Sequence, residues 1–497
     1  MVSERLLSRR MMVRHLLSVP AVGLFAAALA SCGSATSTQT AATTVTQTSV
    51  STQTSVLTAT VTQSSVTTAL LTTAQTVVVT STVPPSASSQ AARQGPLVLE
   101  HWTNLGATSP ENQGRETTIA KFNGEQQAIR VTVSPGANDL TKLKTAAAGG
   151  TPPDSAFVAY FDAAALAAAS LVVDLDQQLR TDKDWAGQRK DIFPLALETS
   201  IWRGKLAAMP FSINNNLVMY NADVLSRAGV EPPKAGWTWD DFIDKANKAA
   251  KPPTIWGLDL GRYGGWAQYT FWANLGASNG FKLLSDDGTK VQFDSPEARE
   301  ITQWHVDLIN KYHLAPPDEK FGKELLATAE TAFEQQGSFR MPLLRQKNVN
   351  FGVVANPVSP KTKQRYADGG GHSLAVMHTA NSDRIAAAAT FARYFSGTEG
   401  QLTMALTGTM FPINRAAQQD KSYQDYLAKD PQYKVFADEL PNTGRAPAMP
   451  SFDKFMTTLG QALLDAYALK KDVSAAHVAA QPVLQSILDD DLRQSGA

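Results

Sequence analysis

The sequence predicts an α/β protein whose globular part is divided into two lobes. After residue 96, short segments rich in β-branched residues alternate with helical patterns. This alternation favours a parallel sheet with helices packed on its faces. About 400 residues follow that point, which is too many for one compact core.

The first 31 residues are predicted to be an export signal. Four arginines, at positions 5, 9, 10 and 14, precede an apolar run from Leu16 to Ala30. The run has 15 residues, whereas a helix that crosses a bilayer needs about 20. A basic start, a short apolar middle and a small-residue exit are typical of a signal peptide. The stretch SRRMM resembles the twin-arginine export motif, and the general secretory route is the alternative.

Cys32 is the only cysteine of the chain and ends this apolar segment. The stretch LASC, residues 29–32, resembles the bacterial lipoprotein box, in which the cysteine thiol receives a lipid and the chain is cut before it. One cysteine cannot form an intrachain disulfide. We therefore expect Cys32 to anchor the protein by lipid on the extracytoplasmic face of the bacterial cell membrane. A plain signal peptide ending near a cysteine is the alternative.

Residues 32–95 are predicted to form a disordered stalk that begins with the lipidated cysteine. From Gly33 to Ala92 the chain has no charged and no aromatic residue. Such a composition buries too little apolar surface to offset the entropy lost on ordering. Ser/Thr-rich stalks of this kind are also sites of O-glycosylation. The alternative is a β-rich domain, because Thr and Val favour strands.

The charge and the motif content exclude several classes of function. The chain is formally neutral and its first 32 residues carry a net charge of +3, so the remainder carries about −3. A weakly acidic surface gives no electrostatic footprint for nucleic acid. The sequence has no H-E-x-x-H, no G-x-x-x-x-G-K and no G-x-S-x-G motif. We expect no metal and no cofactor, since His372 has no His or Cys partner at metal-ligand spacing.

The order of elements predicts where a ligand binds. Strands are predicted over 97–102, 129–134 and 155–161, with helices over 109–122 and 138–148 between them. Ligands of parallel sheets bind outside the carboxyl ends of the strands. The residues at the carboxyl ends of the first and third strands, or just after them, are therefore candidates for binding: Trp102, Asn104, Tyr160, Phe161 and Asp162. Asp162 has an alternative role as a helix cap.

Later helices carry their own start and stop signals. Thr238 and Asp241 form a predicted capping box, and further helices are predicted to begin near Asp294 and Ser382. Pro482 is expected to kink or split the last helix.

Six stretches of the globular part follow one another in an order that resembles a known family. They are AAAGGTPPD (146–154), GKLAAMP (204–210), LVMYN (217–221), WTWDDF (237–242), FEQQGSF (333–339) and FPINR (411–415). Together they resemble the extracellular solute-binding proteins of ABC importers, in the sugar-binding group that includes the maltose-binding protein family. The resemblance runs from about Pro96 to Leu492.

The resemblance implies two α/β lobes joined by hinge strands, with a ligand cleft between them. The crossings are expected near 214–216, 369–373 and 437–448. Lobe one is then 96–215 plus 374–440, and lobe two is 216–373 plus 441–497. Val158, Ala207 and Phe339 replace aromatic residues frequent in the family, so maltose is not carried over as the ligand.

Further candidates for ligand binding come from the crossings and from aromatic or glycine-rich stretches. They are Asn215, Tyr263, Trp266, Phe339, Arg340, Gly371 and His372. Trp266, Tyr269 and Trp272 are spaced by three and share a helix face, which is more typical of a core than of a site.

These observations predict a receptor that captures a mono- or oligosaccharide by hinge closure. It is expected to be a monomer without catalytic activity that delivers its ligand to the permease subunits of an ABC transporter with a separate ATPase. The alternatives are a receptor of the same fold for glycerol phosphate, a polyamine or a peptide, a sensor subunit, and an exported polysaccharide hydrolase. The hydrolase requires two carboxylates about 5–9.5 Å apart in the cleft.

Overall fold

A computed structural model describes residues 41–50, 54–63, 73–79, 95–103, 110–134, 140–260, 265–316, 324–407 and 410–494. The predicted signal segment and Cys32 lie outside the described residues. The chain divides into two compact units, Met1–Ala92 and Arg93–Ala497.

The first unit contains three strands in an antiparallel sheet of order β1-β2-β3. They are β1 Ala41–Val50, β2 Thr54–Gln63 and β3 Thr73–Val79. The sequence predicts a disordered stalk here, and the described backbone differs from that by forming strands. The strand preference of Thr and Val accounts for the difference.

The second unit contains thirteen strands and eighteen α-helices in the described ranges. The strands are β4 Leu97–Trp102, β5 Ile129–Ser134, β6 Ser155–Ala159, β7 Ile201–Trp202, β8 Lys205–Leu206, β9 Met209–Pro210, β10 Asn214–Asn221, β11 Trp256–Asp259, β12 Thr331–Gly337, β13 Phe351–Val354, β14 Ala367–Gly370, β15 His372–Val376 and β16 Thr443–Arg445. The helices are α1 Pro110–Glu125, α2 Leu140–Ala148, α3 Asp162–Ala168, α4 Leu175–Gln178, α5 Trp185–Asp191, α6 Pro194–Glu198, α7 Ala222–Arg227, α8 Trp239–Ala249, α9 Gly265–Ser278, α10 Pro296–Asn310, α11 Met341–Gln346, α12 Ser382–Ser396, α13 Thr398–Ala405, α14 Arg415–Gln419, α15 Lys421–Lys429, α16 Pro431–Asp438, α17 Phe452–Tyr467 and α18 Val473–Gln494.

The first sheet of the second unit has five strands in the order β5-β4-β6-β15-β9. β4 runs parallel to β5 and to β6, which confirms the predicted parallel arrangement of the first three strands. β15 and β9 are antiparallel additions, so the sheet is mixed. The carboxyl ends of β4 and β6 therefore open at one edge of the sheet, where a ligand crevice is expected.

The second sheet has the order β11-β12-β10-β14-β16, with β13 also paired to β10. The three segments predicted to cross between lobes pair with one another in this sheet. Asn214 lies opposite Gly370, and β14 runs parallel to β16. The exact lobe bounds remain a prediction.

The two sheets with their helices form the two lobes of an α/β fold, and the buried apolar residues form two large hydrophobic cores. One core contains Phe333 of β12, Phe242 of α8, Trp272 of α9 and Phe455 of α17, with the ring centroids of Phe333 and Phe242 5.6 Å apart. The other core contains Phe157 of β6 and Phe391 and Phe395 of α12, extends to α16 through Phe436, and also includes Leu217 and Met219 of β10 in the second sheet.

Several local predictions are confirmed, and one of the two outcomes expected at Pro482, a split of the last helix, is corrected. Thr238 and Asp241 form the reciprocal capping box at the start of α8, and Ser295 caps α10. α18 continues through Pro482 as one helix and is not split there. No described helix combines the length and the apolar character needed to cross a membrane.

Candidate functional site

An aromatic pair connects the two lobes at the carboxyl end of β6. Phe161, from the first lobe, stacks on Phe452, the first residue of α17 in the second lobe, with ring centroids 4.5 Å apart and planes at 12°. Tyr160 is buried, and its backbone N–H donates to the carbonyl of Gly371 over 3.3 Å. The structure thus places both predicted aromatic residues between the lobes.

A cavity of about 460 Å³ lies beside this pair and is lined from both lobes. Leu140, Thr141, Lys144, Ala159, Phe161 and Asp162 line it from the first lobe, and Pro450, Ser451, Asp453 and Lys454 line it from the second. An aromatic face bordered by carboxylates and ammonium groups suits a ligand that has both apolar faces and polar rims.

Asp162 lines the cavity but does not cap α3, because the N-cap residue of that helix is Phe161 and no side chain caps it. Asp162 is the first residue of α3, and its Oδ2 accepts a hydrogen bond from the backbone N–H of Ala159 over 3.2 Å. It also lines the cavity opposite Asp453. Burial first, and the charge of Asp453 second, raise the pKa of Asp162 to about 7, against the smaller opposing effect of Lys144.

The hinge residues Asn215 and Gly371 are fixed by packing within the protein. Asn215 is fully buried, and its Nδ2 donates to the carbonyl of Phe436 and to Oγ1 of Thr443, both over 3.1 Å. A Cβ on Gly371 would overlap the carbonyl of Ser212, so glycine is required there by the close approach of two backbones.

His372 lies on β15 next to this close approach. Its backbone N–H donates to Oγ of Ser212 over 2.9 Å, and its ring stacks near Phe211 at a centroid distance of 6.2 Å. Within the described part of the chain its Nδ1 has no hydrogen-bond partner. Burial, with the charge of Arg115, holds the pKa of His372 well below its usual value, so the ring is neutral at neutral pH.

Arg340 and Phe339 follow the carboxyl end of β12 in the second lobe. The Nη1 of Arg340 lies 3.4 Å from Oε1 of Glu324, and its Nε lies 3.6 Å from Oε1 of the buried Glu334. The positive charge of Arg340 is therefore paired with two acidic side chains. The half-buried ring of Phe339 covers Gly337, where a Cβ would overlap it.

The other predicted residues are only partly described. Trp102 is half-buried, with its indole N–H donating to Oε1 of Glu100 over 2.7 Å and Lys142 Nζ 4.9 Å from its ring centroid. Asn104 and Tyr263 lie outside the described residues, and Trp266 lies in the first turn of α9. These residues stay predictions for the site.

Sequence reasoning missed a second pocket, of about 400 Å³, on the second lobe. Tyr269 and Ala273 of α9 line it together with Tyr366, Arg445 and other residues. The Nε of Arg445 lies 3.9 Å from Oε2 of Glu198, at the end of α6 in the first lobe. Tyr269 is buried in the core, as the helical spacing predicts, but its side chain also borders this pocket.

The described residues contain no group of three or more His, Cys, Asp or Glu side chains arranged to hold a metal ion. The chemistry available between the lobes is hydrogen bonding, aromatic contact and charge pairing.

Comparison with known sequences identifies a family and distant relatives. A sequence profile of the family described as bacterial extracellular solute-binding protein matches residues 117–434. The sn-glycerol-3-phosphate-binding periplasmic protein UgpB of Escherichia coli O1:K1 / APEC is 23% identical over 258 residues, which is 49% of this chain and 57% of that protein. The match therefore spans less than two thirds of that relative.

Comparison with solved structures shows the fold. The cyclic alpha-maltosyl-1,6-maltose binding protein from Arthrobacter globiformis matches with a TM-score of 0.69 and 20% identity over 80% of this chain and 100% of that one. UgpB from Mycobacterium tuberculosis, in complex with glycerophosphocholine, matches with a TM-score of 0.68 and 17% identity over 80% of this chain and 99% of that one. Both support the two-lobe architecture with hinge strands.

Proposed function

The chain belongs to the bacterial extracellular solute-binding proteins, and on that premise we propose that it captures a carbohydrate between its lobes for uptake by an ABC transporter. The observation that carries the proposal is the cavity bounded by β6 and α17, which is lined from both lobes. A ligand held there stabilises the closed arrangement by its difference in affinity for the closed and open forms.

The aromatic pair supports a carbohydrate as the ligand. The flat ring of Phe161 offers a surface for the apolar face of a sugar ring, and Asp162, Asp453 and Lys144 offer groups for its hydroxyls. The structural relative from Arthrobacter globiformis is itself named for an oligosaccharide.

A glycerol phosphate or its diester is the second candidate ligand. The curated relative is named for sn-glycerol 3-phosphate, and the Mycobacterium structure contains glycerophosphocholine. Arg445 is the group that favours this candidate, because it borders a pocket lined by two tyrosines. Among the described residues its ion pair is a long contact of 3.9 Å to Glu198.

The proposal extends to where and how the protein works. Cys32 anchors it by lipid to the extracytoplasmic face of the membrane, after export by the twin-arginine or the general secretory route. It acts as a monomer, passes its ligand to separate permease subunits, and converts no substrate. The cavity does contain the acids Asp162 and Asp453, so a hydrolase is excluded only by measuring turnover.

Ligand-dependent melting tests the proposal. The mature chain is heated with maltose, maltotriose, acarbose, tagatose, sn-glycerol 3-phosphate, spermidine or a tripeptide. At a ligand concentration of about 100 times the dissociation constant, binding adds about 2.7 kcal/mol of stability. We expect one or more carbohydrates to raise the melting temperature, and product analysis to show the carbohydrate unchanged.

Two phenylalanine variants locate the effect. Phe161→Ala is expected to weaken binding by up to about tenfold, the range of an aromatic contact. Phe193→Ala is the matched control, because Phe193 is also half-buried but packs under Arg415 away from the cavity. A shift only with the phosphate, the polyamine or the peptide, or turnover of the sugar, contradicts the proposal.

A further inference from the structure

A buried acid and a buried amide lie together where the hinge meets the second lobe. Asp368 belongs to β14, and Asn274 belongs to α9. Each is 1% exposed. The backbone N–H of Asp368 donates to Oδ1 of Asn274, which fixes the two residues against each other.

The side-chain groups of this pair make no hydrogen bond with any residue that the structure describes. Neither carboxyl oxygen of Asp368 has a partner, and neither does Nδ2 of Asn274. Buried polar groups are nearly always satisfied, and an unmade bond costs stability. Three polar atoms without hydrogen bonds on adjacent side chains therefore indicate a partner that the described residues do not supply.

The pair lies beside the pocket that Tyr269, Tyr366 and Arg445 line. Asn274 adjoins Ala273 of that pocket along α9, and Asp368 is two residues beyond Tyr366. Burial first, and the nearby charge of Asp368 second, raise the pKa of both tyrosines. The acid is therefore close to the two phenol groups at the pocket wall.

The environment selects an uncharged partner. Burial raises the pKa of Asp368 well above its usual range, which favours the protonated, uncharged acid. A neutral acid both donates and accepts one hydrogen bond, and the Asn274 amide adds further donors. Such a set matches hydroxyl groups, each of which also donates and accepts.

We propose that Asp368 and Asn274 add a second set of contacts to the ligand site, at the pocket that Tyr269, Tyr366 and Arg445 line, and determine specificity there by hydrogen bonding to adjacent hydroxyl groups of an uncharged sugar or polyol moiety. This inference rests on the proposed function and names the residues that recognise the ligand. Bound water that only fills the structure is the competing occupant.

Two isosteric variants of the mature chain test the proposal. Asp368→Asn keeps the shape but removes the acid. Asp154→Asn is the matched control, because Asp154 is also buried but its carboxylate is fully used by Arg384, at 2.6 Å from Nε to Oδ1, and by the Glu100 N–H at 2.7 Å. Calorimetric titration with maltotriose and with sn-glycerol 3-phosphate gives the affinities, and thermal unfolding of the ligand-free protein gives the stabilities.

The two variants are expected to change different quantities, the binding affinity in one and the melting temperature in the other. Asp368→Asn leaves the ligand-free melting temperature unchanged or raised and weakens binding by about tenfold or more, since a hydroxyl partner is lost. Asp154→Asn lowers the melting temperature and leaves the affinity unchanged. Loss of affinity of Asp368→Asn for whichever probe binds supports the inference, because both probes carry hydroxyl groups.

Equal dissociation constants of wild type and Asp368→Asn overturn the inference and leave the proposed function standing, with water as the occupant. Binding of sn-glycerol 3-phosphate alone overturns the carbohydrate proposal, while the effect of Asp368→Asn on that probe still decides the inference. Absence of binding to either probe or to any carbohydrate in the melting panel overturns both.

Discussion

Asp162 is the residue whose protonation links the cavity to pH. Its pKa of about 7 exceeds its ordinary value because of burial and the facing Asp453. The folded protein therefore holds a proton that the unfolded chain releases at a lower pH. The stabilising contribution of this proton is present below about pH 4 and is lost as the pH rises towards 7.

We predict that Asp162→Asn stabilises the protein at high pH only. At pH 8 the wild type carries an ionised, partly buried carboxylate, which the amide lacks, so the variant is expected to be more stable by about 1–2 kcal/mol after allowance for solvent screening. At pH 4 the two proteins should be equally stable. Chemical unfolding measured across this range checks the prediction.

Asp453→Asn serves as the companion variant for this residue. Removing the facing carboxylate should lower the pKa of Asp162 and flatten the pH dependence in part. A difference between Asp162→Asn and wild type that is the same at pH 4 and pH 8 would show that Asp162 does not titrate as described.

The sequence predicts single site residues better than it predicts their partners. Tyr160, Phe161 and Asp162 lie at the carboxyl end of a predicted strand, and the structure places Phe161 and Asp162 at a cavity between the lobes. Their partners Phe452 and Asp453 lie almost 300 positions later, so no local pattern pairs them. The sequence does not indicate Asp368 as a site residue, because the glycines beside it are typical of a hinge. No local pattern indicates that Asn274 lies opposite it.

At the scale of elements, local signals with a defined chemistry are reliable. The segments rich in β-branched residues correctly predict both ends of β4 and β5, and the capping box correctly predicts the start of α8. The antiparallel β15 and β9 are set by chain crossings, which single-sequence periodicity does not encode. α18 runs through Pro482 although proline removes a helical hydrogen bond, and its packing against α17 and α10 retains it as one helix.

A substitution at Gly444, in β16, tests whether close packing of the hinge strands stabilises the hinge. A Cβ at Gly444 would overlap the hydroxyl end of Tyr366, which covers this strand. We predict that Gly444→Ala lowers the free energy of unfolding by about 1–3 kcal/mol, as overpacking does. Denaturant unfolding measures the change.

Two further variants separate this clash from a general effect of alanine. Removing the ring in the double variant Gly444→Ala/Tyr366→Ala should relieve the clash, so the two changes should cost less together than their sum. Gly187→Ala in α5 is the control, since no atom lies within 4 Å of its added Cβ, and it should stabilise by up to about 1 kcal/mol. Additive costs at Gly444 and Tyr366 would refute the close packing.

At the scale of the whole molecule, the family resemblance of ordered motifs predicts the two-lobe fold correctly. Chain length alone indicates two lobes but not how the chain is divided between them. α16 shows why: it follows first-lobe helices in sequence, yet it packs against β10 and β13 of the second sheet. Such a contact joins distant parts of the chain and is invisible to composition and periodicity.

Ligand-driven closure is the central claim, and the distance between the lobes tests it most directly. Lys144 and Lys454 line the cavity from opposite lobes. Spin labels on cysteines at these two positions, in a Cys32→Ser chain that lacks its only native cysteine, report the separation by electron paramagnetic resonance. A carbohydrate that raises the melting temperature is expected to shorten and narrow the distance distribution, whereas a non-binding sugar leaves it unchanged. A distribution that stays the same at saturating carbohydrate would contradict a receptor that closes on its ligand.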